Sequence, residues 1–323
     1  MRKMITLAVL LLMVTAFAVV AYTKFHRPVV VPDTNLNQRL AENAMGKEIV
    51  LPPPEYAADL GDLAVVAEFW PKLPAPREGD WLSVNSEPKQ TTAELLAAAP
   101  SMAKKKAAGI ELLPILPLDP KVAPKMIGEL FNVIGTTFQC PVRVSKELET
   151  PKEYYFRDGK QINAETLLDF LVDRRPKDVW AVAGVTSFDL ASPDLNFVFG
   201  MSSLEDGVCI TSSHRFGDTD QNKFLMRVYS TVVHELGHSL GLQHCIAYNC
   251  LGNGCNSLEE SDSRPKMYCP HCLAKLRALR GIDPIVYYRE MGEMFRRYKQ
   301  DKDAELAMRA YNALIAAQQK TGK

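Results

Sequence analysis

His234 and His238 stand four residues apart in the run TVVHELGHSLGLQHC, whose apolar residues recur at helical spacing. At about 100° per residue the two imidazoles share one helix face, one turn apart, and aim two nitrogen ligands at one point. Leu225, Tyr229, Val232, Leu236 and Leu240 fall on roughly the opposite side, the face such a helix buries. Glu235 lies about 100° round from His234, where HExxH sequences hold a carboxylate beside a metal as a base instead of on it as a ligand. Gly241 and His244 extend the pattern. For a residue six beyond His238 to return to the same ion the helix must stop and turn, and glycine permits the positive φ that does this. HExxHxxGxxH thus reads as three histidines around zinc with a fourth position open. An open position is a catalytic arrangement, because a water bound there has its pKa lowered to about 7.

Cys245 follows the third histidine directly, Cys250 comes soon after, and Cys269-Pro270-His271-Cys272 closes a second cluster with the spacing of a four-thiolate zinc site. Neighbouring side chains on extended backbone point to opposite sides, so His244 can serve one ion while Cys245 serves another. Two zinc ions per chain are implied, the structural one bracing the third ligand of the catalytic one. A pair of disulfides among the same cysteines is the alternative. His271 reads as a spacer. Cys140, Cys209 and Cys255 lack ligand spacing, and the odd total of seven cysteines counts against a complete disulfide framework.

HELGHSLGLQHC followed by C-x4-C and CPHC resembles the archaemetzincin (archaelysin) family of zinc peptidases. GDWL at 79–82, FGMSSLEDGV at 199–208 and NSLEESDSRPKMYCPHCLAKL at 256–276 are similar to family sequence as well. The resemblance implies a metzincin-like zincin fold, a catalytic zinc on His234, His238 and His244, Glu235 as base, and a second zinc on Cys245, Cys250, Cys269 and Cys272. It also implies a peptide substrate laid along the sheet edge at 197–207. One position departs from the pattern: Gly252 stands where the family usually has a methionine beneath the catalytic zinc, with Met267 a candidate to replace it.

The elements that must position these residues follow from periodicity. Strands are expected at 110–118, 141–145, 180–186, 197–201 and 208–212, and helices at 122–134 and 163–173, with the motif helix starting near Asp220. This order implies an α/β (mixed α+β) fold whose early strands are parallel. Two amphipathic helices at 282–298 and 304–319 suggest a C-terminal hairpin. His214, near a strand end, is a weaker candidate for the cleft. The expected organisation is an N-terminal segment over 1–23, a proline-rich linker over 24–78, a metallopeptidase domain with a zinc-stapled C-terminal part over 79–281, and a helical extension over 282–323.

At 323 residues, 47% hydrophobic and with a formal net charge of zero, the chain has ordinary globular composition. The charge balance without a basic block excludes nucleic acid as an expected partner. Arg2 and Lys3 precede a charge-free apolar run over 5–22, which reads as a signal-anchor, or as a cleaved signal peptide, and places the catalytic part on the membrane outside the cytosol or secreted. The function expected is a zinc-dependent peptidase. The alternatives are a catalytically silent, membrane-tethered zinc scaffold or peptide-binding protein, and hydrolysis of a non-peptide amide by the same metal chemistry.

Overall fold

Strands covered on both faces need no alternation of apolar and polar side chains, which is why 110–116 and 181–186 read as near-continuous apolar runs. The computed structural model describes residues 58–98, 109–120, 123–204, 206–217 and 220–321. Its strands in chain order are β1 (Ile110–Leu116), β2 (Val142–Val144), β3 (Leu148–Glu149), β4 (Tyr155–Phe156), β5 (Gln161–Asn163), β6 (Ala181–Thr186), β7 (Leu190–Ser192), β8 (Leu195–Val198), β9 (Gly200–Ser203) and β10 (Val208–Ser212). The larger sheet runs β2-β1-β6-β10-β9 with β3 added to β1, and a smaller sheet runs β4-β5-β7-β8. β1 pairs in parallel with β2, β3 and β6, and β10 with β6; β9 pairs antiparallel to β10 as the last strand on its side. The fold is thus mixed α/β with parallel early strands, as expected.

The major helices are α1 (Ala123–Phe138), α2 (Ala164–Arg174), α3 (Gln221–Ser239), α4 (Leu258–Asp262), α5 (Pro270–Arg280), α6 (Pro284–Arg297) and α7 (Asp301–Thr321). Asn163 caps α2 and Asp220 caps α3, each accepting two main-chain N–H groups through its side chain. The motif helix α3 packs across β10, β9 and β6 and is buried nearly all round. Tyr229, Met291 and Phe295 join it to the C-terminal hairpin α6–α7, and Leu60, Leu63, Val66 and Trp70 from the N-terminal side enter the same core.

Two expectations change. The single strand at 197–201 is divided: β8 belongs to the smaller sheet and β9 to the larger, and the chain crosses between them at Phe199, whose carbonyl accepts from Ser212 N at 2.9 Å. β3, β4, β5 and β7, of two or three residues each, were too short for periodicity to mark. The expected membrane tether, and the placement outside the cytosol that followed from it, are corrected. No helix among the described residues is long and apolar enough to cross a membrane. The two with the length, α3 and α7, carry charges such as Lys223, Arg227, Asp303 and Arg309 along it. The 5–22 run on which that expectation stood lies outside the described residues.

Candidate metal centre

Each imidazole of the motif has one nitrogen engaged by oxygen. His234 Nδ1 lies 2.9 Å from Leu251 O, His238 Nδ1 2.6 Å from Leu242 O, and His244 Nδ1 2.6 Å from a Glu87 oxygen. Since these oxygens only accept, Nδ1 carries the hydrogen and Nε2 keeps a free lone pair. Those lone pairs converge: the Nε2 atoms of His234 and His238 are 3.0 Å apart, and the ligand atoms of all three histidines lie within 4.8 Å of one another. Two nitrogens on a shared zinc, at about 2.0–2.1 Å each, stand about 3.3 Å apart in a tetrahedron, so the donor set fits the ion. Burial, then the neighbouring imidazoles, holds His234 well below the usual histidine range and His238 down to about 4, so both stay neutral, the ligating form.

The turn expected at Gly241 is present. α3 ends at Ser239, Gly241 has φ +97°, and Leu242 N donates to Gly237 O at 3.0 Å, which swings the chain back towards His234 and His238. Within α3, Gly237 meets a second demand: a Cβ there would lie 2.3 Å from the Tyr268 hydroxyl, which donates to Val233 O at 2.7 Å.

Glu235 is buried beside the imidazoles against β9. A Cβ on Gly200 would come within 2.6 Å of its Cγ, so a bare glycine backbone makes room for the carboxylate. The Ser202 hydroxyl donates to Glu235 Oε2 and also contacts its main-chain oxygen. Burial pushes this carboxyl up to about 7, against the opposing pull of the Ser202 bond. Trp81, Phe197, Phe199, Met201 and Leu251 are among the walls of a cavity of about 560 Å³ that also contains His234, Glu235, His238 and His244.

Behind His244, Cys245, Cys250, Cys269 and Cys272 are buried together. Cys245 Sγ is 3.7 Å from Cys269 Sγ, and Cys250 Sγ 4.0 Å from Cys272 Sγ. Bonded sulfurs stand about 2.05 Å apart, and all four thiols are free, so the disulfide alternative falls away. Four sulfurs about 2.3 Å from a tetrahedral zinc are about 3.8 Å from each other, which these separations match. The Gly252 N–H points at Cys250 Sγ (3.2 Å) and the Cys272 N–H at Cys269 Sγ (3.5 Å). Bonds from Cys250, Cys269 and Cys272 pull the Cys245 thiol down, while burial pushes Cys269 up and bonding to Cys245 and Cys250 pushes Cys272 up.

Gly252, at the position of the family methionine, faces these thiols: a Cβ there would be 3.4 Å from Cys245 Cβ and from Cys272 Sγ. Met267 is fully buried and absent from the cavity wall, where Leu251 stands instead. His271 contacts Gln90 O through Nε2 at 3.1 Å, as suits a spacer, His214 is exposed and off the cavity, and Cys255 lines the cavity apart from the thiol cluster.

Sequence reasoning missed Glu87, Gln90 and Asn253. Asn253 donates to Cys245 O and Tyr248 O and accepts from Cys250 N, tying the thiol loop to itself. Gln90 donates to Gly241 O and accepts from Gln243 N on either side of the turn. Glu87 and Gln90 have partners 157 and 151 positions away, which no local spacing marks, and the partners of Asn253, though near in sequence, are main-chain groups that no residue type announces.

The family model described as peptidase family M54 matches residues 126–278. Archaemetzincin-2 of Mus musculus is 35% identical over 193 residues, covering 50% of this chain and 54% of its own, so the chain spans about half the length of that relative. The archaemetzincin of Pyrococcus furiosus is 39% identical over 134 residues, 40% of this chain and 70% of that protein. The crystal structure of archaemetzincin from Methanopyrus kandleri is 30% identical, covers 54% of this chain and 96% of that one, and superposes with a TM-score of 0.47. The family match runs through both the histidine and the thiol clusters, and this chain belongs to the archaemetzincins, peptidase family M54.

Proposed function

We propose that this chain is a zinc-dependent peptidase that holds two zinc ions, one on His234, His238 and His244 and one on Cys245, Cys250, Cys269 and Cys272. The peptidase unit is drawn over residues 79–281, with 24–78 as a preceding linker whose Leu60, Leu63, Val66 and Trp70 pack into the core of that unit, and 282–323 as a helical extension. A zinc ion at the histidines supplies Lewis acidity to polarise a scissile carbonyl and to acidify a water. The remaining work falls to the chain. Glu235, held between Gly200 and Ser202, takes the proton of the attacking water and returns it to the departing amine. The outer edge of β9 offers main-chain donors and acceptors to an extended peptide, and the apolar cavity takes a side chain while keeping bulk water from the carboxylate. The thiol cluster braces the loop that carries His244.

The observation that carries this reading is the convergence of three imidazoles, each with Nδ1 already engaged, in the same cavity as a buried carboxylate. A zinc scaffold without turnover was suggested by Gly252. That glycine faces the thiols and not the histidines, and such a scaffold has no chemical use for Glu235. Cleavage of a mixed peptide library, with and without chelator, separates the two. The expected result is chelator-sensitive cleavage that falls at least about a hundredfold in Glu235→Gln with zinc still bound. Equal cleavage by that variant refutes the role of Glu235, and no cleavage by the zinc-loaded wild type favours the scaffold.

A further inference from the structure

His234 and His238 ride on a helix, whereas His244 sits on a loop just past the Gly241 turn. A loop ligand has no ladder of main-chain bonds to fix its ring, so something else must. The first two histidines give Nδ1 to neutral main-chain carbonyls, and only His244 meets a carboxylate. That carboxylate comes from the 77–90 segment, a strap that lies outside residues 126–278 and places Trp81 in the cavity wall.

The strap engages the loop through three residues. Glu87 Oε1 holds His244 Nδ1 at 2.6 Å and accepts from Trp81 Nε1 at 2.5 Å. The Trp81 ring meets the His244 ring edge-on, centroids 5.0 Å apart. Gln90 pins Gly241 O at 2.9 Å and Gln243 N at 3.1 Å. The strap is itself anchored: Trp81 N donates to Glu260 at 3.0 Å, and a Cβ on Gly254 would lie 2.5 Å from Trp81 Cδ1, so the indole rests on bare backbone.

We infer that Glu87 is the positioning residue for the third histidine, and that the 77–90 strap completes the histidine metal site from outside residues 126–278. The inference rests on the histidines holding zinc, as proposed above. Glu87 fixes the His244 tautomer and ring angle and makes Nε2 a stronger donor, as a carboxylate behind a ligating imidazole does. It touches neither substrate nor ion.

The test is zinc affinity at the histidine site, by competition with a chromogenic chelator, with thiol alkylation reporting the cysteine site separately. Glu87→Ala is expected to weaken zinc binding at the histidines by about 10–100-fold while the four thiols stay protected. Glu87→Gln, whose carbonyl oxygen still accepts from Nδ1–H, should recover most of that loss. It should still shift the visible bands of cobalt-substituted protein, because the negative charge behind His244 is gone. Wild-type affinity in Glu87→Ala overturns the inference, as does simultaneous loss of thiol protection, which marks a general structural role. If Glu87→Ala fails to fold, an unchanged cobalt spectrum in Glu87→Gln overturns it equally. Metal affinity is measured without substrate, so a wild type that binds zinc and cuts no peptide defeats the peptidase reading and leaves this one standing.

Discussion

Gly237→Ala places one methyl group between the histidine helix and the thiol cluster. Alanine is the better helix former by about 1 kcal/mol, so on an exposed helix the change would stabilise. Here the new Cβ falls 2.3 Å from the Tyr268 hydroxyl oxygen and 3.3 Å from Cζ. Tyr268 is 1% exposed, donates through its hydroxyl to Val233 O, and has its main-chain N–H held by the Tyr287 hydroxyl at 2.9 Å. It has no free direction in which to retreat. Overpacking costs about 1–3 kcal/mol, and a buried hydroxyl pushed off its acceptor costs about 1–3 more. After the helix gain is subtracted, the net loss is about 1–5 kcal/mol and centres near 3. Tyr268→Phe alone should cost about 1 kcal/mol, since Val233 O keeps its helical partner. In the double variant the clashing oxygen is gone and only Cζ, at 3.3 Å, remains close. The pair should therefore be about 2 kcal/mol more stable than the sum of the single losses. Equilibrium urea unfolding at fixed free zinc measures all four proteins. A Gly237→Ala protein as stable as wild type, or strictly additive losses, refutes the packing argument.

Gly200→Ala drives a Cβ into Glu235 within 2.6–2.9 Å of three of its atoms; peptide turnover should fall at least about tenfold with zinc content unchanged, measured by kinetics beside metal analysis. Cys269→Ser removes a thiol 3.7 Å from Cys245, the residue after His244, so zinc retention at the histidines should weaken although Cys269 is no ligand there; unchanged retention in competition assays separates the two sites energetically. Burial pushes the Cys140 thiol up to about 12 from 9.0. Its alkylation should therefore be several hundredfold slower at pH 9 than that of an unperturbed thiol and rise about tenfold per pH unit below 12, because only the thiolate reacts. Peptide mapping of iodoacetamide adducts reads that rate directly.

The histidine spacing, the turn at Gly241, the thiol spacing, the parallel early strands and the family resemblance were all legible in the chain, because each is carried by residues close together in sequence or by a period. Helical rotation alone puts His234 and His238 on one face, and alternation of side chains alone parts His244 from Cys245. What Gly252, Gly237 and Gly200 are for was not legible. Each answers to a neighbour from a distant segment: the sulfur of Cys272, the phenol of Tyr268 and the carboxylate of Glu235. The division of 197–201 between two sheets escaped periodicity because a strand change at one residue leaves alternation intact. The membrane tether was read from an apolar run outside the described residues, and no spanning helix exists among those described. Sequence by itself determined which donors this protein carries and how they are spaced, since ligand chemistry and helical rotation are local. Only the tertiary structure decided what stands behind them. A hydrogen bond from His244 to Glu87, 157 positions away, depends on how the chain returns through space and leaves no trace in any window of the sequence.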